Sequence, residues 1–297
     1  MNKDIGKVFF IINKYSGSGF RPAMENLVSR ICSDHGAVSV IEYTQAPGHA
    51  TQLATDALAA GYDKIIAVGG DGTVNEVARA LTHTPASMGI IPKGSGNGLA
   101  RHLGIPVNLS QAVNCLFTNQ CLAIDTFRVN GQLSLNVSGV GFDGYIAALF
   151  GVEKQRGFRG YLKLVLNEFR HFEEFEAEIK TGEETLSRKA FVIAIANSSQ
   201  YGNNARIAPG ASVCDQLLNI SVLKKFPPYR LDLIYSLFAG TIDKSAYCET
   251  IQVRDIVINL RKPAAFHIDG EPAGKAETFT IELLPASLNM LAPCSTI

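Results

Sequence analysis

The chain has no surplus of either charge: Lys plus Arg and Asp plus Glu are 27 each in 297 residues. A net charge of zero gives no electrostatic argument for nucleic acid, which needs a basic face, so no nucleic-acid partner is expected. Long apolar runs are also missing. None approaches the ~20 residues that span a bilayer. The run Val8 to Ile12 falls short of the ~7–15 residues of a secretory signal core, and no small-residue cleavage pattern follows it. The expectation is a cytoplasmic protein that visits a membrane surface at most. The six cysteines, Cys32, Cys115, Cys121, Cys214, Cys248 and Cys294, form no CxxC pair. A zinc site is therefore not expected, and reduced thiols are the simplest reading. No internal repeat or low-complexity segment appears.

What is present is apolar: 46% of residues are hydrophobic, enough to bury a sizeable core in two modest domains or one large one. Up to Asp125, strands and helices alternate. Lys7 to Ile12, Val38 to Tyr43, Lys64 to Val68 and Met88 to Ile91 read as strands, the first and third as continuous apolar runs buried on both faces. Pro22 to His35, Gly48 to Ala60 and Gly72 to Leu81 read as helices, with Gly36 and Gly61 just past two of their ends. Alternation through short loops predicts a parallel sheet with helices on both faces, and ligands at the carboxyl ends of the strands. After Asp125 short strands dominate: Thr126 to Val129, Leu133 to Val137, Phe175 to Lys180, Ala190 to Asn197, Leu218 to Leu223, Thr250 to Asn259, Ala265 to Ile268 and Thr278 to Leu284. Turn signals such as Asn130-Gly131 and Asp269-Gly270 separate them. Helical patches cover Tyr145 to Phe172 and Arg230 to Leu237. The fold class is thus an α/β domain with a parallel sheet over 1–125, followed by an antiparallel β-sandwich over 126–285.

The richest segment runs from Ile65 to Glu76: a buried strand, then Gly69-Gly70-Asp71-Gly72-Thr73, then Val74-Asn75-Glu76 opening a helix. Glycines let the backbone approach phosphate oxygens, and the helix start favours an anion. Asp71 puts a negative charge where phosphates belong, which implies an intervening Mg²⁺. The plain alternative is an Asp-Gly turn. A second loop, Pro92-Lys93-Gly94-Ser95-Gly96-Asn97-Gly98, follows one strand later, so two glycine loops should converge on one crevice. Neither has the Walker A or the GxGxxG spacing.

These two loops and the late Asp269-Gly270-Glu271 together resemble the diacylglycerol kinase catalytic-domain family of lipid kinases. The resemblance also takes in Asn13 with Ser16-Gly17, Thr44 with Gly48-His49-Ala50, Asp125, and Asn136 with Gly139 to Gly144. It implies a nucleotide-binding domain and a β-sandwich domain with the active site in the cleft between them, and a chain end, 286–297, that returns to the first domain. It implies ATP and Mg²⁺ as cofactors and a lipid hydroxyl at a membrane surface as acceptor, in phospholipid metabolism. ATP would be lined by Asn13, Thr44, Gly69, Gly70, Asp71, Gly72, Thr73, Val74, Asn75 and Ser95. Glu271 would be the general base, and Asp125 would join Asp71 in the magnesium network. Without the resemblance, Glu271 reads as an exposed acid beside a hairpin turn.

A further family element is a magnesium-binding turn. Its counterpart here would use Asp215 and the carbonyls of Ser212 and Leu217, while Cys214, Gln216 and Asn219 depart from the family's pattern. Gly98 departs from the acid common in bacterial diacylglycerol kinases. The stretch from Tyr145 to Phe172 mixes Phe150, Phe158, Tyr161 and Leu162 with Lys154, Arg156, Arg159 and Lys163; it reads equally as an anionic-lipid dock or as an amphipathic helix broken at Gly157 and Gly160. The rivals are a soluble-acceptor kinase related to NAD kinase or phosphofructokinase, and a catalytically silent nucleotide- or lipid-binding regulator. The oligomeric state stays open, a homodimer being one option.

Overall fold

The structure, a computed structural model, describes residues 6–17, 22–118, 120–152, 158–182 and 184–293. The chain divides into two compact units, Met1–Ile124 with Ala286–Ile297, and Asp125–Pro285.

In the first unit β1 (Gly6–Ile12), α1 (Pro22–Asp34), β2 (Ala37–Tyr43), α2 (His49–Ala59), β3 (Lys64–Gly69), α3 (Asp71–Leu81), β4 (Ser87–Pro92), α4 (Gly98–His102) and α5 (Leu109–Thr118) follow one another. The sheet order β4-β3-β1-β2 is parallel throughout. Phe10, Ile11, Ile12, Ile65, Ile66, Ala67 and Val68 are buried to the last atom, as runs covered on both faces must be. The sequence reading had no helix over 109–118. Its signal is there: Ala112, Val113 and Leu116 are buried at helical spacing, and the Asn108 side chain accepts the Gln111 N–H at the helix start. Residues 18–21, just past Ser16-Gly17, lie outside the described residues, as does Cys294.

The second unit holds β5 (Gln120–Val129, entering from the first), β6 (Gln132–Ser134), β7 (Val137–Gly141), α6 (Phe142–Val152), α7 (Phe158–Glu168), β8 (Phe175–Lys180), β9 (Thr185–Ala190), β10 (Val192–Ala196), β11 (Leu218–Leu223), α8 (Leu231–Ala239), β12 (Cys248–Val253), β13 (Ile256–Ile268) and β14 (Glu271–Ala292). β14 carries the chain back into the first unit, where Asn289 and Met290 pair in parallel with β4. Within the second unit the order β12-β11-β10-β7-β13-β14 is antiparallel. β10 is buried on both faces: Ile193 and Ile195 join the core with Phe127, Ile258, Phe266 and Phe279, while Val192, Ala194 and Ala196 pack beneath α6 with Phe142, Ile146 and Phe191.

Three sequence expectations are corrected. The strand expected over 133–137 breaks, because the N–H groups of Leu135 and Asn136 leave the ladder for the Asp269 carboxylate. The strand expected over 250–259 is two, β12 and β13, parted at Arg254-Asp255. The helical stretch expected over 145–172 is α6 and α7; Lys154, Arg156 and Gly157 lie outside the described residues, as do the side chains of Phe158, Arg159, Tyr161 and Leu162.

Candidate active site

Three loops meet at the carboxyl ends of β1, β3 and β4 in the first unit. A Cβ on Gly17, whose φ is 57°, would stand 1.9 Å from the Lys93 carbonyl oxygen. A Cβ on Gly94 would stand 2.6 Å from the Gly70 Cα, and one on Gly69 would meet Thr73 Oγ1 at 2.5 Å. Gly17 and Gly94 are therefore required by contact with the backbone of a neighbouring loop, and Gly69 by contact with the Thr73 side chain. The Asn97 side chain brackets Gly94, accepting its N–H at 2.9 Å and donating to its carbonyl at 2.8 Å.

The sequence-predicted phosphate residues fall on this frame. Asn13 continues the β1–β3 ladder by donating its N–H to Val68 O, and its side-chain amide donates to Thr73 Oγ1 at 3.2 Å. Thr44 is buried at the end of β2, its N–H on Ile12 O. Gly70 caps α3 without a side chain, so none of its own atoms fills the space before Asp71, Gly72 and Thr73. The first-turn N–H groups of such a helix have no intrahelical partner and suit an anion. Thr73, Val74 and Asn75 are buried, and Asn75 Oδ1 accepts a bond from Arg79 Nε. Ser95 is exposed on the second loop.

Asp71 has a role that the sequence did not announce. Its carboxylate accepts the N–H of Asn97 at 2.9 Å and of Gly98 at 2.9 Å, tying the first glycine loop to the start of α4. These donors supply the compensation that the sequence reading had assigned to a cation, so the position of Asp71 does not by itself demand a metal. Glu76 likewise serves a neighbour: its carboxylate accepts the N–H groups of Gly48 and Ala50 and caps α2.

The second unit holds the Asp-Gly-Glu segment. Asp269 and Gly270, with φ 49° and 89°, form the two-residue turn of the β13–β14 hairpin, the geometry that Asp-Gly favours. Asp269 is 8% exposed and its carboxylate accepts Ser134 Oγ at 2.7 Å and the N–H groups of Leu135 and Asn136. Gly270 N–H donates to His267 Nδ1 at 3.1 Å, which places the proton of that imidazole on Nε2, facing Asp143 Oδ2 at 3.2 Å. Tyr201 donates to the same Asp143 oxygen at 3.0 Å. Gly139 leaves the room for this pair, since a Cβ there would lie 1.8 Å from Asp143 Oδ2. Glu271 follows, exposed, on a turn anchored from two sides. Sequence reasoning missed His267, Asp143 and Tyr201; the signal available was a His two residues before the Asp-Gly pair.

Asp125 is sequestered. It is 1% exposed, its Oδ2 accepts the Gln216 N–H at 2.7 Å, its own N–H donates to Val213 O and its carbonyl accepts the Asn197 amide. It holds the 213–216 turn in place. In that turn Gln216 adopts φ 60°, Asp215 Oδ1 accepts the Leu217 N–H and Ser212 Oγ accepts the Cys214 N–H. Burial and the nearby Asp125 and Asp215 charges push the Cys214 thiol up to about 11, so it stays neutral at pH 7 and offers no anionic ligand.

Among the described residues no three His, Cys, Asp or Glu side chains gather as metal ligands. The 212–217 turn offers Asp215 as its one carboxylate, so a cation there would be held mainly by carbonyls and water. The first-unit loops fit Mg²⁺ in a different way. Asp71 with hydroxyl and backbone groups suits an ion held mainly by water and phosphate oxygens, which takes only one or two protein carboxylates.

Residues 7–129 match the diacylglycerol kinase catalytic domain, and residues 137–292 match the YegS C-terminal NAD kinase beta sandwich-like domain. The probable lipid kinase YegS-like protein of Pectobacterium atrosepticum is 30% identical, covering 86% of this chain and 88% of its own. The protein of that name from Pseudomonas fluorescens is 29% identical over 85% of each chain. A crystal structure of a diacylglycerol kinase from Bacillus anthracis superposes with a TM-score of 0.77 over 99% of both chains at 21% identity, which shows a shared fold.

Proposed function

The chain belongs to the YegS-like family, which pairs a diacylglycerol kinase catalytic domain with an NAD kinase-like β-sandwich, and we propose that it transfers the terminal phosphoryl group of ATP to a lipid hydroxyl. The observation that carries this reading is the tie between the two glycine loops. Asp71 bonds the second loop, and the Gly70 and Gly94 backbones approach as closely as glycines alone allow. That holds the second loop fixed beside the first turn of α3, whose N–H groups have no intrahelical partner and suit a polyphosphate.

Phosphoryl transfer asks the protein mainly for positioning and charge neutralisation. Asn13, Thr44, Thr73 and the first turn of α3 would hold the phosphates. Magnesium, anchored by Asp71 through water, would neutralise charge that develops on them. Glu271 would orient the acceptor hydroxyl and accept its proton as the bond to phosphorus forms, a task that needs an exposed carboxylate on a fixed backbone. The Asp269, His267 and Asp143 contacts fix that backbone. Asp125 would act on the site through the 212–217 turn. The diacylglycerol-like identity of the acceptor rests on the description of the matching catalytic-domain family.

The test separates binding from chemistry. In Glu271→Gln, ATP affinity should match the wild type while transfer to lipid is lost. In Asp71→Ala both should fall. Full transfer by Glu271→Gln would remove Glu271 from the mechanism. A second reading follows from the NAD kinase likeness of the second domain: a soluble nucleotide hydroxyl as acceptor. Labelled ATP offered with NAD and no lipid tests it, and the lipid reading predicts no transfer.

A further inference from the structure

Helix α8 is apolar on two opposite faces. Leu233 is buried against Ile242 and Cys248, with Leu237 packed beside them, so that side is accounted for. Leu231, Ile234, Tyr235 and Phe238 recur at the i, i+3, i+4, i+7 spacing that defines one helix face, and that face is open to solvent. Leu231 is 67% exposed and Tyr235 74%, and Tyr229, just before the helix, is 79% exposed. A surface helix ordinarily turns charge outward. Here Asp232 is the one acid of α8, and it is held by Arg230 at 2.7 Å.

Around the helix cations outnumber acids. Between Lys224 and Lys244 stand Lys224, Arg230 and Lys244 against Asp232 and Asp243, in a chain whose net charge is zero, while Lys225 turns its ammonium to the carbonyls of Arg170 and Phe172. Arg206, whose side chain lies against Gly240, adds a further cation at the helix end. Beside α8 a groove of about 530 Å³ is lined by Arg230, Lys244, Thr241, Ser245 and Tyr247, together with Asp232. Cations and hydroxyls of this kind bind phosphate headgroups, while tyrosines and a short apolar face suit the interfacial layer of a bilayer. No described helix is long and apolar enough to cross a membrane, so insertion would be shallow.

We infer that the outward face of α8, with Tyr229 and its flanking cations, is the surface on which the protein docks to anionic membrane. Leu231, Ile234, Tyr235 and Phe238 enter the interface, and the Arg230–Lys244 groove receives headgroup phosphate. The inference rests on the lipid-kinase reading for its choice of occupant, but vesicle binding tests it without any phosphoryl transfer.

The chain contains no tryptophan, so Tyr235→Trp makes a single reporter on this face. With vesicles of phosphatidylcholine and phosphatidylglycerol, its emission should shift to the blue, and less so with phosphatidylcholine alone. The triple variant Ile234→Ser, Tyr235→Ser, Phe238→Ser should co-sediment with the anionic vesicles about tenfold more weakly, with an unchanged circular dichroism spectrum. It should still phosphorylate lipid dispersed in detergent, where docking is not needed. Wild-type binding to vesicles with the Tyr235→Trp emission unmoved would show docking by another face and overturn the inference. A blue shift that grows with protein concentration in the absence of vesicles would assign the face to a second copy and overturn it too. Docking through α8 by a protein that phosphorylates no lipid would sink the kinase reading and leave this one standing. Transfer to detergent-dispersed lipid without any vesicle binding would do the reverse.

Discussion

Two neighbouring acids of the β13–β14 hairpin should behave in opposite ways. Glu271 is exposed, so Glu271→Gln should leave thermal unfolding where it is and lower the rate of transfer by roughly 10²–10⁴-fold, the range of a lost general base. Asp269 is buried among one hydroxyl and two backbone donors. Asp269→Ala orphans those donors at about 1–3 kcal/mol each, so its urea midpoint should fall well below that of the wild type, and activity should fall with it. A large stability loss in Glu271→Gln, or none in Asp269→Ala, would contradict the geometry.

At the scale of elements, the contact between the glycine loops is the sharpest constraint. Gly94→Ala places a methyl 2.6 Å from the Gly70 Cα and 2.9 Å from Asn97 Oδ1, and backbone cannot step aside as a side chain can. The loops should part, and ATP affinity measured by calorimetry should fall at least about tenfold, the equivalent of ~1.4 kcal/mol. Gly6→Ala, at the start of β1, adds a methyl that meets nothing within 4 Å and needs no left-handed backbone; it is the control and should not change it. These elements also show what a sequence makes legible. β1, β3 and the glycine loops could be read because strand burial and loop chemistry are local: a run of apolar residues, then glycines, then a helix start. α5 carries an equally local signal in Ala112, Val113 and Leu116. The contacts that organise the site are not local. Asp71 reaches Asn97 and Gly98 across 26 and 27 positions, and Asp269 reaches Ser134 across 135. An acid in a turn reads alike whether it holds a metal, holds a backbone or faces water. Asp71 and Asp125 accordingly read in the sequence as magnesium groups alone, although each also holds backbone N–H groups, and the break between β6 and β7 has its cause in Asp269, far along the chain.

Taken whole, the molecule buries thiols in both units. Desolvation pushes Cys32 and Cys248 up to about 11 from an ordinary 9.0. A raised folded-state value means that stability is intact below the unfolded value and drains away as pH climbs towards the folded one, because the unfolded chain ionises first. Unfolding free energy should therefore be insensitive to these thiols at pH 7–8 and decline between about pH 9 and 11, less steeply in a Cys32→Ala, Cys248→Ala variant once its own baseline is subtracted. The decisive question is where a phosphoryl group goes. The most direct measurement is to incubate the full chain with ATP labelled on its terminal phosphate, Mg²⁺ and a mixed lipid extract, and to count label in the organic phase after extraction. Label should appear in a new phospholipid, and be absent in Glu271→Gln. Label that stays wholly in the aqueous phase, as inorganic phosphate or on a soluble acceptor, would contradict it.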